Sequence, residues 1–469
     1  MSSRRSTAVA ILVSLGVVAL VVFGDRIQRE VRHFLVGELG DVAVARMQRL
    51  AADDDSDHMA AAEMITLPIL VSEPAPGIFA ASGVGNTFVI RTDDGDIIFD
   101  TGLIIQAAKQ YDLISEQLDS LKPVKIFLSH AHADHVGGVR IWSSPETELV
   151  ASSEFLEEQR YLTELNPYLH QRNRMLFPWL PDEPRELPGM NFRGLKPDTV
   201  VERGRPLRFT QGGRVFEVWS LPGAEGADNL LLWLPEEKIL LSGDFFGPQF
   251  PQFPNIFTMR GEKVRKPIEY IESLNTVINF APRLILPSHL VPVQGSEQIV
   301  ADLVRIRDAV QWVHDQTVAG MNEGKTVGEL MEDIRLPPQL SLAQTHGKVS
   351  WAVKSIWEYY ATWFHFDRTS ELYATPQSAV LADLASAIDH AKVTVGIDAA
   401  IERREWERAL HLLELLEGDE ILTEALKSRW ITVVRALRER ALANEKNDYE
   451  LYWLDAQLRR LEQSIEVAL

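Results

Sequence analysis

His130-Ala131-His132-Ala133-Asp134-His135-Val136-Gly137-Gly138 places four potential metal ligands within six positions, directly after the apolar run Val124 to Leu128. Two histidines two residues apart on an extended or tightly turning backbone face the same side, so two ring nitrogens can converge on one cation. Asp134 and His135 can then serve a second. Imidazole combined with carboxylate oxygen suits zinc or a similar first-row divalent ion, and incomplete protein ligation leaves room for a water whose pKa falls toward neutrality. A solvated polar loop would account for two histidines alone, but not for the full string between a strand and a Gly-Gly turn.

On the amino-terminal side of this string, Gly77 to Ser82, Thr87 to Arg91 and Asp96 to Phe99 are short apolar or β-branched runs split by Gly-containing turns, which predicts an antiparallel meander. A helix is expected around Ile104 to Leu121, followed by the Val124 to Leu128 strand. The histidine string therefore sits at the carboxyl end of a strand, where α/β sheets place their ligands. On the other side, strands are signalled at Val215 to Leu221, Leu230 to Leu234, Ile239 to Leu241 and Leu284 to Leu286, with a helix between Lys263 and Ile278. Three of these strands run into a further candidate ligand: Glu225 in Leu-Pro-Gly-Ala-Glu, Asp244 in Leu-Ser-Gly-Asp and His289 in Leu-Pro-Ser-His. Each alone reads as a turn or a satisfied polar residue; together with the first string they point to ligation.

Strand and helix signals alternate across residues 70–295, a span that suits one α/β domain. Residues 296–469 change character to long amphipathic segments, among them Ile299 to Met321, Trp351 to Phe364, Ala379 to Ala391, Ala399 to Leu415 and Ser428 to Ala443, which predicts an all-α region whose Trp and Leu residues are packing surface. Residues 1–24 carry Arg4-Arg5 and the apolar stretch Ala8 to Phe23, read as an export signal or membrane anchor. Its charge distribution predicts membrane association at the amino terminus and a catalytic part on the periplasmic side of the inner membrane. Residues 25–69 are expected to be a helical spacer containing the solvated acidic patch Asp53-Asp54-Asp55.

Composition narrows the chemistry. A net charge of -20 argues against nucleic acid as a partner. Cysteine is absent from all 469 residues, so there is no disulfide, thiolate ligand or cysteine nucleophile, and any metal must use nitrogen and oxygen donors.

Phe99-Asp100-Thr101-Gly102, the histidine string, the Pro222-Gly223 turn, Gly243-Asp244 and His289 together resemble the metallo-β-lactamase superfamily. The resemblance implies an αββα sandwich with a binuclear site. Most members carry a histidine after Pro-Gly; here Ala224-Glu225 stands there, and a carboxylate at that place is similar to the alkylsulfatase branch. Asn255 to Gly261, Arg307-Asp308, His314 to Thr317, Ile334 to Pro337 and Gly347 to Trp351 also look like alkylsulfatase segments. They imply that the helical region from about 297 to 440 is similar to the dimerisation domain of that branch, and hence a homodimer. Where relatives show Tyr-x-Arg-Tyr-x-Gly-Trp, this chain has Trp357-Glu358-Tyr359-Tyr360-Ala361-Thr362-Trp363, losing an arginine and a glycine.

The residues assign His130, His132 and Glu225 to one metal, Asp134, His135 and His289 to the other, and Asp244 as the bridge, with Asp134 also the candidate catalytic carboxylate. Two divalent cations against the carboxylates of Asp134, Glu225 and Asp244 leave a single positive charge, so an anionic ester needs protein cations nearby. Arg260 and Lys354, with Tyr360 as hydrogen-bond donor, are the substrate-binding candidates by resemblance of their segments. The aromatic, Arg-containing stretch 154–190 is expected at the pocket rim, where it suits an apolar tail. The expectation is a two-metal hydrolase acting on alkyl sulfate esters through a metal-held hydroxide. The alternatives are a hydrolase of a lactone, thioester or phosphodiester, and a non-catalytic envelope scaffold.

Overall fold

The computed structural model describes residues 33–34, 36–45, 48, 65–178, 180–183, 194–256, 259–417 and 423–466. The expected export segment Ala8 to Phe23 and the acidic patch at 53–55 lie outside them. Among the described residues no helix is long and apolar enough to cross a membrane. The chain divides into two compact units that interleave in sequence: residues 1–166, 183–248 and 279–300 make the first, and 167–182, 249–278 and 301–469 the second.

The first unit contains two sheets. One has seven strands in sequence order: β1 (Val71–Ala75), β2 (Ile78–Ala81), β3 (Thr87–Ile90), β4 (Asp96–Phe99), β5 (Pro123–Phe127), β6 (Glu148–Ser152) and β7 (Thr199–Val201). The meander β1 to β4 is antiparallel, and β4 to β7 are parallel. The second sheet runs β13-β12-β11-β10-β9-β8, from β8 (Leu207–Gln211), β9 (Arg214–Ser220), β10 (Leu230–Leu234), β11 (Ile239–Gly243), β12 (Leu284–Pro287) and β13 (Val293–Gln294).

Alternation along the strands explains the layering. Phe99 and Phe127, with Phe216, Val218, Leu232 and Leu286, form a core between the sheets, whereas Ile98 and Ile126 point to the opposite face and pack with Ala107, Ala108 and Ile114 of α1 (Ile104–Gln117). The register sets Ile98 beside Ile126 and Phe99 beside Phe127, which brings the carboxyl ends of β4 and β5 level. Both ends lead into polar residues, Asp100 and Ser129-His130.

The sequence-level strands at Thr87, Asp96, Val215, Leu230, Ile239 and Leu284 are all present to within a few residues. Sequence patterning had not marked β1, β6, β7, β8 or β13, which lie at sheet edges or in short mixed runs where periodicity is faint.

The second unit is helical. Its carboxyl-terminal part packs Leu413, Trp430, Val433, Val434 and Leu451 into one buried core, so these residues are packing surface. Two segments that read as continuous are broken. Between Ala379 and Ala391 the helix Gln377–Ala387 stops, because Asp389 caps a new one at His390–Glu402 by accepting from the amides of Ala391 and Lys392. Between Ala399 and Leu415 the chain turns at Arg404, whose φ is 58°, before the helix Trp406–Glu417. A polar cap made the first break and a left-handed turn residue the second, and apolar spacing alone reports neither.

Candidate metal centre

The histidine string leaves β5 through Ser129 and His130, turns, and enters the short helix α2 (Ala133–Val136), with His132 in extended conformation before it. The bend at Ala131 brings both rings to one side: His130 Nε2 and His132 Nδ1 lie 2.8 Å apart. The loop needs glycine opposite. A Cβ at Gly85 would fall 1.9 Å from the carbonyl oxygen of Asp134, and one at Gly243, which has φ +54°, would fall 2.3 Å from Cβ of Ser129.

Beneath the histidines lies Asp100, fully buried and in the left-handed region at φ 56°. Its Oδ1 accepts from the Ser129 amide at 2.8 Å. Its Oδ2 accepts from the Ser129 hydroxyl at 2.8 Å and the Ser288 hydroxyl at 2.6 Å, and lies 2.9 Å from His135 Nδ1. The proton inventory then settles which nitrogens are bare. A carboxylate only accepts, so His135 Nδ1 carries a proton and, in the neutral ring, Nε2 does not. Ser129 gives its single proton to Asp100 and therefore accepts from His130 Nδ1 at 3.0 Å, which bares His130 Nε2. Asp100 thus fixes the tautomers of two histidines, the outer-shell arrangement found behind metal-ligating imidazoles.

Asp244, after β11, and His289, after β12, close the cluster. His289 Nε2 lies 3.0 Å from Asp244 Oδ2 and 3.5 Å from Asp134 Oδ2, and His135 Nε2 lies 3.5 Å from the same two oxygens. Two sets of donor atoms each gather within 4.8 Å: His130, His135 and Asp244, and Asp134, His135 and His289. Burial disfavours every charge here, yet the coulombic pull of the carboxylates outweighs it. It holds His135 well above the ordinary imidazole range and His289 above it, while Asp134 and Asp244 are held below the usual carboxylate range by their histidine neighbours. His130 goes the other way: burial, with the adjacent His135 and His132, pushes it well below.

The donor set fits divalent cations. His135 Nε2, Asp244 Oδ1 and His289 Nδ1 are buried atoms with no hydrogen-bond partner among the described residues. Leaving buried polar atoms unsatisfied costs roughly 1–3 kcal/mol each, and His135 Nε2 and Asp244 Oδ1 are accounted for by a group that takes nitrogen and oxygen lone pairs.

Five of the seven expected ligands lie in those two donor sets, and His132 joins through His130. Glu225 is buried on a loop tied to both neighbours: the Ala224 amide donates to the Phe245 carbonyl, one residue beyond Asp244, and the Ala131 amide donates to Asp228 Oδ2. Of the substrate candidates, all in the second unit, Arg260 pairs with Glu262 at 3.1 Å and lies over the Tyr449 ring, Lys354 is exposed, and Tyr360 is hydrogen bonded to His314 Nε2 at 2.8 Å. In the 154–190 stretch, Arg172 donates to the carbonyls of Met259 and Arg260 and Arg174 to Asp182; Trp179 lies outside the described residues. Sequence reasoning gave no role to Asp100, Ser129, Ser288 or Asp228. A signal was there: Ser129 and Ser288 each directly precede a ligand histidine.

Comparison with known proteins agrees with this geometry. Residues 81–289 match the metallo-beta-lactamase superfamily, and residues 326–450 match the alkyl sulfatase dimerisation family. The first unit is therefore a metallo-beta-lactamase-type α/β sandwich. The chain joins that domain to a region matching the alkyl sulfatase dimerisation family, and it has named relatives. It is 29% identical over 368 residues to a linear primary-alkylsulfatase of Pseudomonas sp. (strain ATCC 19151), covering 73% of this chain and 68% of that protein. It is 24% identical to the alkyl/aryl-sulfatase BDS1 of Saccharomyces cerevisiae, covering 60% of this chain but only 47% of the relative. The solved structure of the sec-alkylsulfatase Pisa1 from Pseudomonas sp. shares the fold with a TM-score of 0.71 at 19% identity, covering 85% of this chain and 68% of that one.

Proposed function

We propose that the chain is a binuclear metal-dependent hydrolase of alkyl sulfate esters. The observation that carries this reading is the meeting of His130, Asp134, His135, Asp244 and His289 around the unpartnered buried atoms His135 Nε2 and Asp244 Oδ1, on a chain similar to alkylsulfatases over most of its length. Two divalent cations, with zinc the first choice, would supply Lewis acidity and a water of near-neutral pKa. His130, His132 and Glu225 would hold one cation, and Asp134, His135 and His289 the other. Asp244 is the bridging candidate, since its Oδ2 faces His289 and His135 while the residue also shares a donor set with His130. Asp100 keeps His135 Nδ1 protonated and so keeps Nε2 aimed into the centre. Asp134, whose Oδ2 lies 3.5 Å from both His135 and His289, is the candidate catalytic carboxylate.

For the substrate, Arg260, Lys354 and Tyr360 are proposed at the polar end of the ester and the 154–190 stretch at its apolar tail. A homodimer through the helical unit and a periplasmic location, anchored or cleaved at Ala8 to Phe23, complete the proposal. A second reading keeps the cations and changes the substrate to an uncharged or less strongly anionic ester such as a lactone or thioester. It is favoured by the loss of the arginine and glycine from the Trp357 to Trp363 segment and by the engagement of Arg260 with Glu262, a carboxylate it shares with Arg265.

Purified protein with measured metal content, incubated with dodecyl sulfate, an acyl lactone and a bis-aryl phosphate, separates these readings. Sulfate release that tracks metal loading is expected. No release at any loading, with turnover of another ester, transfers the conclusion to the second reading.

A further inference from the structure

Asp228 has no part in the ligand assignment above, yet it is buried to 2% exposure three residues after Glu225. Its Oδ2 accepts from the Ala131 amide at 2.9 Å, the peptide between His130 and His132. Two residues on, the amide of Leu230 donates to the carbonyl of Ser129 at 2.7 Å. His130 is thus bracketed on both sides by hydrogen bonds to the chain that begins β10: the Ser129 carbonyl accepts from the Leu230 amide, and the Ala131 amide donates to the Asp228 carboxylate.

The loop is shaped for that carboxylate. A Cβ at Gly226 would fall 2.5 Å from Asp228 Oδ1, and Asn229 Nδ2 donates back to the Gly226 carbonyl at 2.8 Å, closing the turn beneath it. Retaining a charge here is expensive. Burial and the nearby Glu158 push the Asp228 pKa up to about 7, and His132 and the Ala131 amide only partly offset this.

We propose that Asp228 is a positioning residue that clips the Ala131 peptide and so sets the convergence of His130 and His132 on their shared cation. This rests on the binuclear reading above and extends it. The clip ties the loop of Glu225 to the peptide between the two histidines and does not touch the supports of His135 and His289, which are Asp100 and the end of β12. The consequence is selective: losing the clip weakens one metal position and spares the other.

The experiment uses full-length protein and Zn²⁺ alone, with bound metal counted by elemental analysis after dialysis against a graded chelator. Wild type is expected to hold two equivalents. Asp228→Ala is expected to hold one tightly and to bind the second about 10–100-fold more weakly. Asp228→Asn, whose side-chain oxygen can still accept from Ala131, is expected to restore most of that loss. Cobalt substitution supplies a second readout, with the visible bands of one site altered in Asp228→Ala and recovered in Asp228→Asn. Two equivalents of unchanged affinity in a folded Asp228→Ala overturn the proposal. Should that variant not fold, amide exchange in wild-type apo-protein decides: slow exchange at Ala131 supports the clip and unprotected exchange overturns it. A wild type that binds no metal defeats the binuclear reading itself, which is a different result.

Discussion

In the first unit Asp100, His130, His135, Asp244 and His289 are all buried and share one cluster. In the second unit Asp398 with Arg429, Asp455 with Arg438 and Glu450 with Lys348 form separate, partly exposed pairs. Both units carry charge on a hydrophobic frame, but they treat it differently. A pair near water costs little to form and contributes little. A buried cluster with unsatisfied atoms such as His135 Nε2 and Asp244 Oδ1 is costly unless something else completes it. The difference teaches where the fold holds charge at a cost to stability, and it can be read without knowing the substrate.

The contrast is broken most directly at Asp244. Asp244→Asn removes a carboxylate that faces two histidines, and loss of hydrolysis is expected to exceed the roughly 10–100-fold typical of an outer-shell substitution. Loss of bound metal should accompany it, with far-UV circular dichroism unchanged. Full metal content in this variant would remove Asp244 from the centre.

The reverse is expected in the helical unit. Leu413 is 1% exposed in the carboxyl-terminal core, so Leu413→Ala should destabilise by roughly 2–5 kcal/mol in denaturant titration. Metal affinity in the folded fraction is expected to stay at the wild-type value. A change in affinity without a change in stability would contradict the division drawn here.

Asp100→Asn sharpens the comparison within the first unit. It removes the acceptor that fixes the His135 tautomer, and metal affinity should fall about 10–100-fold with little loss of secondary structure. Isothermal titration with zinc measures it.

The apo-protein should show its own pH signature. His135 and His289 are raised in the fold, so their stabilisation is fully present below the unfolded imidazole value and is lost as pH rises through their folded values. Asp134 and Asp244 are depressed, so theirs is present above the unfolded carboxylate value and lost only in strong acid. The melting temperature of metal-free protein is therefore expected to fall from about pH 6 to pH 9. The metal-loaded form should not follow, because ligation requires the neutral rings. Calorimetry of both forms across that range checks the sign.

The smallest effect is expected at the surface. Arg429→Ala breaks a two-point pair with Asp398, whose side chain is 46% exposed, and about 0.2–1 kcal/mol is the expected cost.

Much of the site could be read in the chain because its ligands follow strands whose apolar runs are themselves legible. His130, Asp244 and His289 each come just after a run of β-branched or leucine residues, and Glu225 comes after a Pro-Gly turn. Spacing and residue type therefore identified the donors and the chemistry. The supporting residues were hidden. Asp100 works from a left-handed backbone position 35 residues before His135, and Asp228 reaches a peptide 97 residues before it. Neither separation carries a local periodicity that sequence patterning could detect.

By itself the sequence determined the donor types, the absence of thiolates, the α/β-then-helical order and the carboxylate at 225. Only the tertiary structure decided which nitrogens are bare, which carboxylates converge, and that Arg260 is already paired with Glu262. The reason is physical: donor identity is a property of each residue, whereas tautomer, burial and charge balance depend on distances that exist only once β4, β5, β11 and β12 lie side by side in their two sheets.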